Sequence, residues 1–232
     1  MAEPPFVPRH GRRPGEVKRE KATLRDAMRD ALSRLPEGSA ESAGQIIAGK
    51  IVLTEAWERA GSIALYSHLA GEVDTGPLWD AARRALKTVV FPRVVSQGKL
   101  EFARVDDPAQ LRRGSFNILE PAAGAEVVPI GGDMLVLVPG LAFDTSGGRL
   151  GRGAGYYDRA LAADSAGDRA GGAPRAVRFG IGFALQIVPS IPMERYDIRM
   201  DEVWTEATPK SGGQSPADVV RANADTEEID PR

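Results

Sequence analysis

The sequence predicts an α/β domain with a single open mixed, mostly parallel sheet and helices on both faces. Three observations carry this. Met134 to Pro139 is a continuous apolar run, as in a strand buried on both sides. The short apolar run Ser62–Tyr66, a helical stretch from about Pro77 to Leu86, and the run Thr88–Pro92 follow one another. That order and spacing describe a right-handed parallel crossover. Ahead of it lie two segments with apolar residues at helical spacing.

Residues 1–15 are rich in proline and arginine, lack apolar periodicity, and read as a disordered tail. From Val17 onward, Leu24, Met28, Ala31, Leu32 and Leu35 recur on one helical face, which ends near Pro36-Glu37-Gly38. Ser39 is predicted to cap a second helix whose Ile46, Ile47, Ile51 and Leu53 cover the sheet. Thr75 is the predicted N-cap of the crossover helix, with Pro77 in its first turn. Leu100 to Val105 alternates like a strand with one wet face. Asp164 to Pro174 reads as a flexible insertion, Ala176 to Phe183 as a late strand, and 208–232 as a second disordered tail. One domain over residues 17–207 follows.

Composition excludes several kinds of chemistry. There is no cysteine, so no disulfide and no thiolate. His10 and His68 are the only histidines, too few for a histidine-rich metal site. The formal net charge of -2 gives no general pull toward nucleic acid or acidic membranes. No apolar run reaches the roughly 20 residues of a membrane span. The expectation is a cytoplasmic protein, a monomer, whose partners are small molecules.

Chemistry concentrates in Gly147-Gly148-Arg149-Leu150-Gly151-Arg152-Gly153-Ala154-Gly155-Tyr156-Tyr157-Asp158-Arg159. It lies between the Met134–Pro139 strand and a helix that starts near Tyr156. Glycines allow a close main-chain approach, and successive N–H groups before a helix make an anion cradle. Arg149 and Arg152 add charge-assisted bonds, and a carboxylate at Asp158 beside a polyphosphate suits magnesium. The loop is no Walker A motif, since no Gly-Lys-Ser/Thr closes it. Nor is it a dinucleotide fingerprint, because Tyr156 stands where the last glycine belongs.

Val138-Pro139-Gly140-Leu141-Ala142-Phe143-Asp144 followed by Arg149 to Arg159 resembles the signature of the 5-formyltetrahydrofolate cyclo-ligases (5,10-methenyltetrahydrofolate synthetases). The likeness extends over about Lys21 to Glu206. It implies a sheet of the kind found in sugar-phosphate isomerases and CoA transferases, and ATP- and magnesium-dependent closure of 5-formyltetrahydrofolate to the methenyl form.

The resemblance also implies site residues. Lys21, Arg25, Arg149, Leu150, Gly151, Arg152, Gly153, Ala154, Gly155, Tyr156 and Tyr157 would hold the nucleotide, with Arg152 and Lys21 catalytic. Tyr66, Glu72, Phe116 and Tyr156 would hold the folate. Glu72 suits a pterin, whose neighbouring N–H groups it can accept. Glu120 is a weaker folate candidate. Asp158 and Asp197 would share Mg2+. Ala154 and Tyr196 depart from the family pattern. Two other readings stay open: a non-catalytic folate or nucleotide-binding protein, and a sugar-phosphate isomerase or CoA transferase-like enzyme on a similar frame.

Overall fold

The computed structural model describes residues 14–95, 98–169 and 175–207. The predicted tails at 1–13 and 208–232 lie outside these. Helices α1 (Pro14–Leu32), α2 (Ser39–Ile51) and α3 (Glu55–Arg59) precede β1 (Ser62–Ala64), α4 (Gly76–Arg84), β2 (Thr88–Val95) and β3 (Lys99–Arg104). A hairpin of β4 (Leu111–Arg113) and β5 (Leu119–Pro121) follows, then β6 (Met134–Pro139). A second hairpin, β7 (Ala142–Phe143) and β8 (Arg149–Leu150), leads to α5 (Tyr156–Arg169), β9 (Val177–Ile181) and β10 (Glu202–Trp204).

The main sheet has the order β10-β9-β6-β1-β2-β3. Every neighbour pair is parallel except β2 with β3. The apolar run Met134–Pro139 is central, with parallel partners on both sides. Alternation along the strands sorts the core into two layers. Ile63, Val89, Phe91, Leu135, Leu137 and Phe179 pack with α1 to α4. Ala64, Val90, Phe102, Met134, Val136 and Val138 pack with Leu161 of α5. The predicted sheet with helices on both faces is what forms.

Several local expectations change. The helix begins at Pro14, inside the expected tail; proline is preorganised for a first turn. Gly38, in the left-handed conformation, is the N-cap of α2, and Ser39 Oγ instead donates to the Pro36 carbonyl. Thr75 is the N-cap residue of α4 with Pro77 in the first turn, as expected, but its Oγ1 donates to the Tyr66 carbonyl, and the Asp74 carboxylate accepts the Gly76 N–H. Ile47 and Ile51 are buried as expected, whereas Ile46 and Leu53 face solvent. The helix α5 runs through Arg169, well into the expected flexible insertion. Asp164, at the start of that stretch, is anchored to the sheet: its carboxylate meets Arg178 of β9 at 3.0 Å, both side chains buried. Residues 170–174 of that insertion lie outside the described chain.

Asp144 locks the chain between β7 and β8. Its carboxylate accepts the Ser146 N–H and Oγ–H, the Gly148 N–H and the Ile191 N–H. Burial alone would raise its pKa; these donors outweigh burial and hold it below the ordinary value of 3.8. Asp144→Asn keeps the shape but sets N–H groups against donors. It should cost roughly 1–3 kcal/mol of unfolding free energy near neutral pH, read by urea melts. A depressed native pKa stabilises above 3.8, so the wild-type advantage should shrink as pH falls below that value.

Candidate active site

The site forms at the carboxyl ends of β1 and β6, where ligands collect in open parallel sheets. Strand β6 delivers the chain to the β7–β8 hairpin, and residues 151–155 bend from there into α5. Gly153 (φ +112°) and Gly155 (φ +68°) take backbone values that other residues rarely adopt. Arg152, Gly153 and Ala154 are exposed, so the bend is open to solvent.

Helix α1 reaches the bend from the far end of the sequence. Arg25 Nε donates to the Gly151 carbonyl at 2.9 Å, and its guanidinium passes beside Gly153. Lys21 is buried and donates to Asp197 at 2.5 Å and Glu194 at 2.8 Å. Burial opposes its charge, but the hydrogen bonds and charges of these two acids prevail, and its pKa is raised above 10.5. Lys21 is therefore an ammonium at neutral pH.

Arg149 and Leu150 lie under the bend. Leu150 is a core side chain, 1% exposed, so only its main chain can face a ligand. Arg149 is also buried; it donates to Asp158 at 3.0 Å and to the Pro139 carbonyl, and stacks on Tyr157. The other Asp158 oxygen accepts the Ile198 N–H at 3.1 Å. This brings Asp158 against the residue that follows Asp197.

On the opposite wall, Glu72 is 8% exposed. Its Oε2 accepts the Leu69 N–H, and its Oε1 takes both Nε (3.0 Å) and Nη2 (2.9 Å) of Arg152. Tyr66 lies in the core below; its hydroxyl donates to the Val73 carbonyl, fixing the turn that carries Glu72. Burial first, then the Glu72 charge, pushes the Tyr66 phenol well above its ordinary pKa, so it stays a donor. Phe116 is 68% exposed and meets Tyr156 edge-on at 6.0 Å. A core phenylalanine is thereby excluded, and the two rings bound one opening.

Sequence reasoning assigned no role to Glu194, Arg159 or Asp144. Arg159 staples the bend: it donates to the Ala154 and Gly98 carbonyls and lies over Tyr156. Arg159 and Asp144 stand inside the motif blocks quoted above and Glu194 lies three residues before Asp197, but only proximity in space reveals their partners. Tyr196, the departure from the family pattern, is exposed beneath the Arg195 guanidinium.

The donor set suits a divalent ion carried in by a nucleotide. Only Oδ2 of Asp197 is engaged, and each Asp158 oxygen takes one donor. Magnesium is commonly held by one or two carboxylates plus phosphates and water. Among the described residues, no three His, Cys, Asp or Glu side chains cluster to hold a metal by themselves, and no helix is long and apolar enough to cross a membrane.

The fold and this crevice define a class: a mostly parallel α/β protein whose strand ends carry an open glycine bend ringed by guanidinium groups. The 5-formyltetrahydrofolate cyclo-ligase family matches residues 17–206, and the chain belongs to that family. The mouse 5-formyltetrahydrofolate cyclo-ligase is 28% identical over 202 residues, 84% of this chain and 98% of the mouse protein. The Mycolicibacterium smegmatis 5-formyltetrahydrofolate cyclo-ligase is 32% identical, over 84% of this chain and 96% of its own. The solution structure of Aquifex aeolicus 5,10-methenyltetrahydrofolate synthetase aligns with a TM-score of 0.67 at 29% identity, covering 84% of this chain and 95% of that one.

Proposed function

We propose that the protein closes 5-formyltetrahydrofolate to 5,10-methenyltetrahydrofolate with ATP and Mg2+, releasing ADP and phosphate, as a cytoplasmic monomer. One observation carries the reading. The carboxylate suited to a pterin, Glu72, and the guanidinium suited to a transferring phosphoryl group, Arg152, sit in contact at 2.9 Å. A reaction that joins a folate oxygen to a γ-phosphorus needs its two binding loops to converge in this way.

In the first step the formyl oxygen attacks the γ-phosphorus, and the bond from that phosphorus to the β,γ-bridging oxygen breaks. The N10 lone pair then adds to the activated carbon. The N5 lone pair expels phosphate with the former formyl oxygen, and the N10 proton passes to solvent. No protein nucleophile is required, in keeping with a chain that has no cysteine. The protein positions two substrates and neutralises charge, the general logic of phosphoryl transfer.

The backbone of 149–157 wraps the triphosphate, from Arg149 and Leu150 through Gly151, Gly153, Ala154 and Gly155 to Tyr156 and Tyr157. Arg152 turns from Glu72 to the moving phosphoryl group, and Lys21 and Arg25 hold phosphate from the other wall. Glu72, once released, accepts the pterin N–H groups, while Phe116 and Tyr156 flank the ring. Tyr66 supports Glu72 from beneath, and Arg149 orients Asp158. Asp158 and Asp197 would hold magnesium, which supplies charge neutralisation on the phosphates.

Formation of the methenyl chromophore should require folate, ATP and Mg2+ together, with each omitted in turn. Absorbance that grows without ATP would reject the reaction. Arg152→Ala should lower kcat by roughly 100-fold or more while the melting temperature falls by only about 2–4 °C; unchanged turnover in folded protein removes Arg152 from the chemistry. Glu72→Gln should raise the folate KM by about tenfold, and an unaltered KM takes Glu72 out of the pocket.

A further inference from the structure

The Glu194 side chain has no part in the proposed reaction, yet it stands where two cations call on one acid. Its Oε2 accepts Lys21 Nζ at 2.8 Å, and the same ammonium donates to Asp197 Oδ2 at 2.5 Å. Residues 194–197 form a tight turn. The Asp197 N–H donates to the Glu194 carbonyl at 3.0 Å, and the Glu194 N–H donates back to Asp197 Oδ2 at 2.6 Å. One residue on, the Ile198 N–H donates to Asp158 Oδ1 at 3.1 Å. The backbone of this segment thus gives a donor to each proposed magnesium ligand, and the Glu194 side chain is left to Lys21.

Exposure separates the three groups. The Lys21 side chain is 7% exposed, that of Asp197 18% and that of Glu194 44%. A pair with so exposed a partner adds little to stability, so the fold does not depend on Glu194. A buried ammonium does depend on an anion, because its charge is costly there without one. Lys21 has two carboxylates where one would meet that need. Asp197 is the one tied to Asp158, through the adjoining Ile198 N–H. Glu194 is the spare, and only its Oε2 is engaged among the described residues.

The spare matters once Asp197 serves a divalent ion. An ammonium and a divalent cation on one carboxylate repel each other, so Lys21 must loosen its hold on Asp197 Oδ2. With Glu194 beside it, Lys21 keeps a carboxylate and its place, and its other N–H donors are free to meet phosphate. Without Glu194, letting go of Asp197 leaves the ammonium no carboxylate among the described residues. Lys21 would then compete for Asp197 instead of yielding it.

We propose that Glu194 is a positioning residue: it draws Lys21 off Asp197 and so frees that acid for the magnesium that accompanies ATP. This rests on the reading of Mg2+ and ATP as the co-substrate pair and assigns that site a further residue.

The test measures binding of adenosine 5′-(β,γ-imido)triphosphate to the full chain by calorimetry, with excess Mg2+ and with a chelator. The ratio of the two affinities is the gain from the metal. Glu194→Gln keeps the main-chain donors of the turn and removes only the charge. It should lower the gain by about fivefold or more. Metal-free affinity should hold or rise, because one negative charge near the phosphates is gone. Glu194→Asp, which keeps the charge, should recover part of the loss. In a Lys21→Met background, Glu194→Gln should have little further effect, since Glu194 acts through Lys21. An unchanged gain in Glu194→Gln, or equal losses with and without Mg2+, overturns the inference. An undiminished loss in the Lys21→Met background also overturns it, making Glu194 a metal ligand in its own right. A wild-type chain that gains nothing from Mg2+ refutes the magnesium–ATP reading itself. A gain present in the wild type and untouched in Glu194→Gln leaves that reading standing and removes only the role of Glu194.

Discussion

A single ion pair, Arg152 on Glu72, joins the two halves of the site. It spans 80 residues of sequence and closes the glycine bend onto the loop after β1. The Glu72 side chain is nearly buried while that of Arg152 is 43% exposed, so the contact is worth about 1 kcal/mol rather than the several of a fully buried pair. That modest strength matters. A pair of this size orders two loops before ligands arrive, yet either ligand can break it by offering a better partner. Two similar pairs, Lys21 with Asp197 and Arg149 with Asp158, tie the other proposed phosphate-binding and metal-binding groups together. Each cation is already lodged against an acid that has its own task.

The sheet explains how these groups meet. Parallel strands β1 and β6 are neighbours and point the same way, so their following loops share one crevice. The Asp144 carboxylate, with four donors, holds the turn between β7 and β8 and draws in Ile191 from the late chain. The Met200 N–H donates to the Gly147 carbonyl, which binds the same turn to the approach to β10. The segment bearing Glu194 and Asp197 is thus fixed against the bend by backbone and carboxylate together. Helix α1 then needs only Lys21 and Arg25, one turn apart, to close the remaining side.

Much of this was legible in the residues. The apolar run of β6 and the crossover from β1 to β2 follow from hydrophobic pattern, and the glycine bend announces itself by composition. What the pattern does not encode is pairing across the fold. Arg149 and Arg152 read alike in sequence, two guanidiniums in one loop. Residence in the buried β8 turns the first onto Asp158, and exposure on the bend turns the second onto Glu72. Ser39 and Thr75 read as capping side chains because capping is a local preference; the Pro36 carbonyl in the preceding turn and the Tyr66 carbonyl at the end of the β1 run take their hydroxyls instead. Asp164 reads as a loop residue amid glycines and alanines until Arg178 is seen beside it.

If Arg152 is shared between Glu72 and phosphate, the two substrates must bind with positive coupling, and equally in both directions. The direct measurement is the affinity of a non-hydrolysable ATP analogue with Mg2+, titrated with and without saturating 5-formyltetrahydrofolate, in wild-type and Glu72→Gln protein. The account predicts nucleotide binding about five- to tenfold tighter when folate is present, and no such gain in the variant. Equal nucleotide affinity with and without folate in wild-type protein, or an undiminished gain in Glu72→Gln, would contradict it.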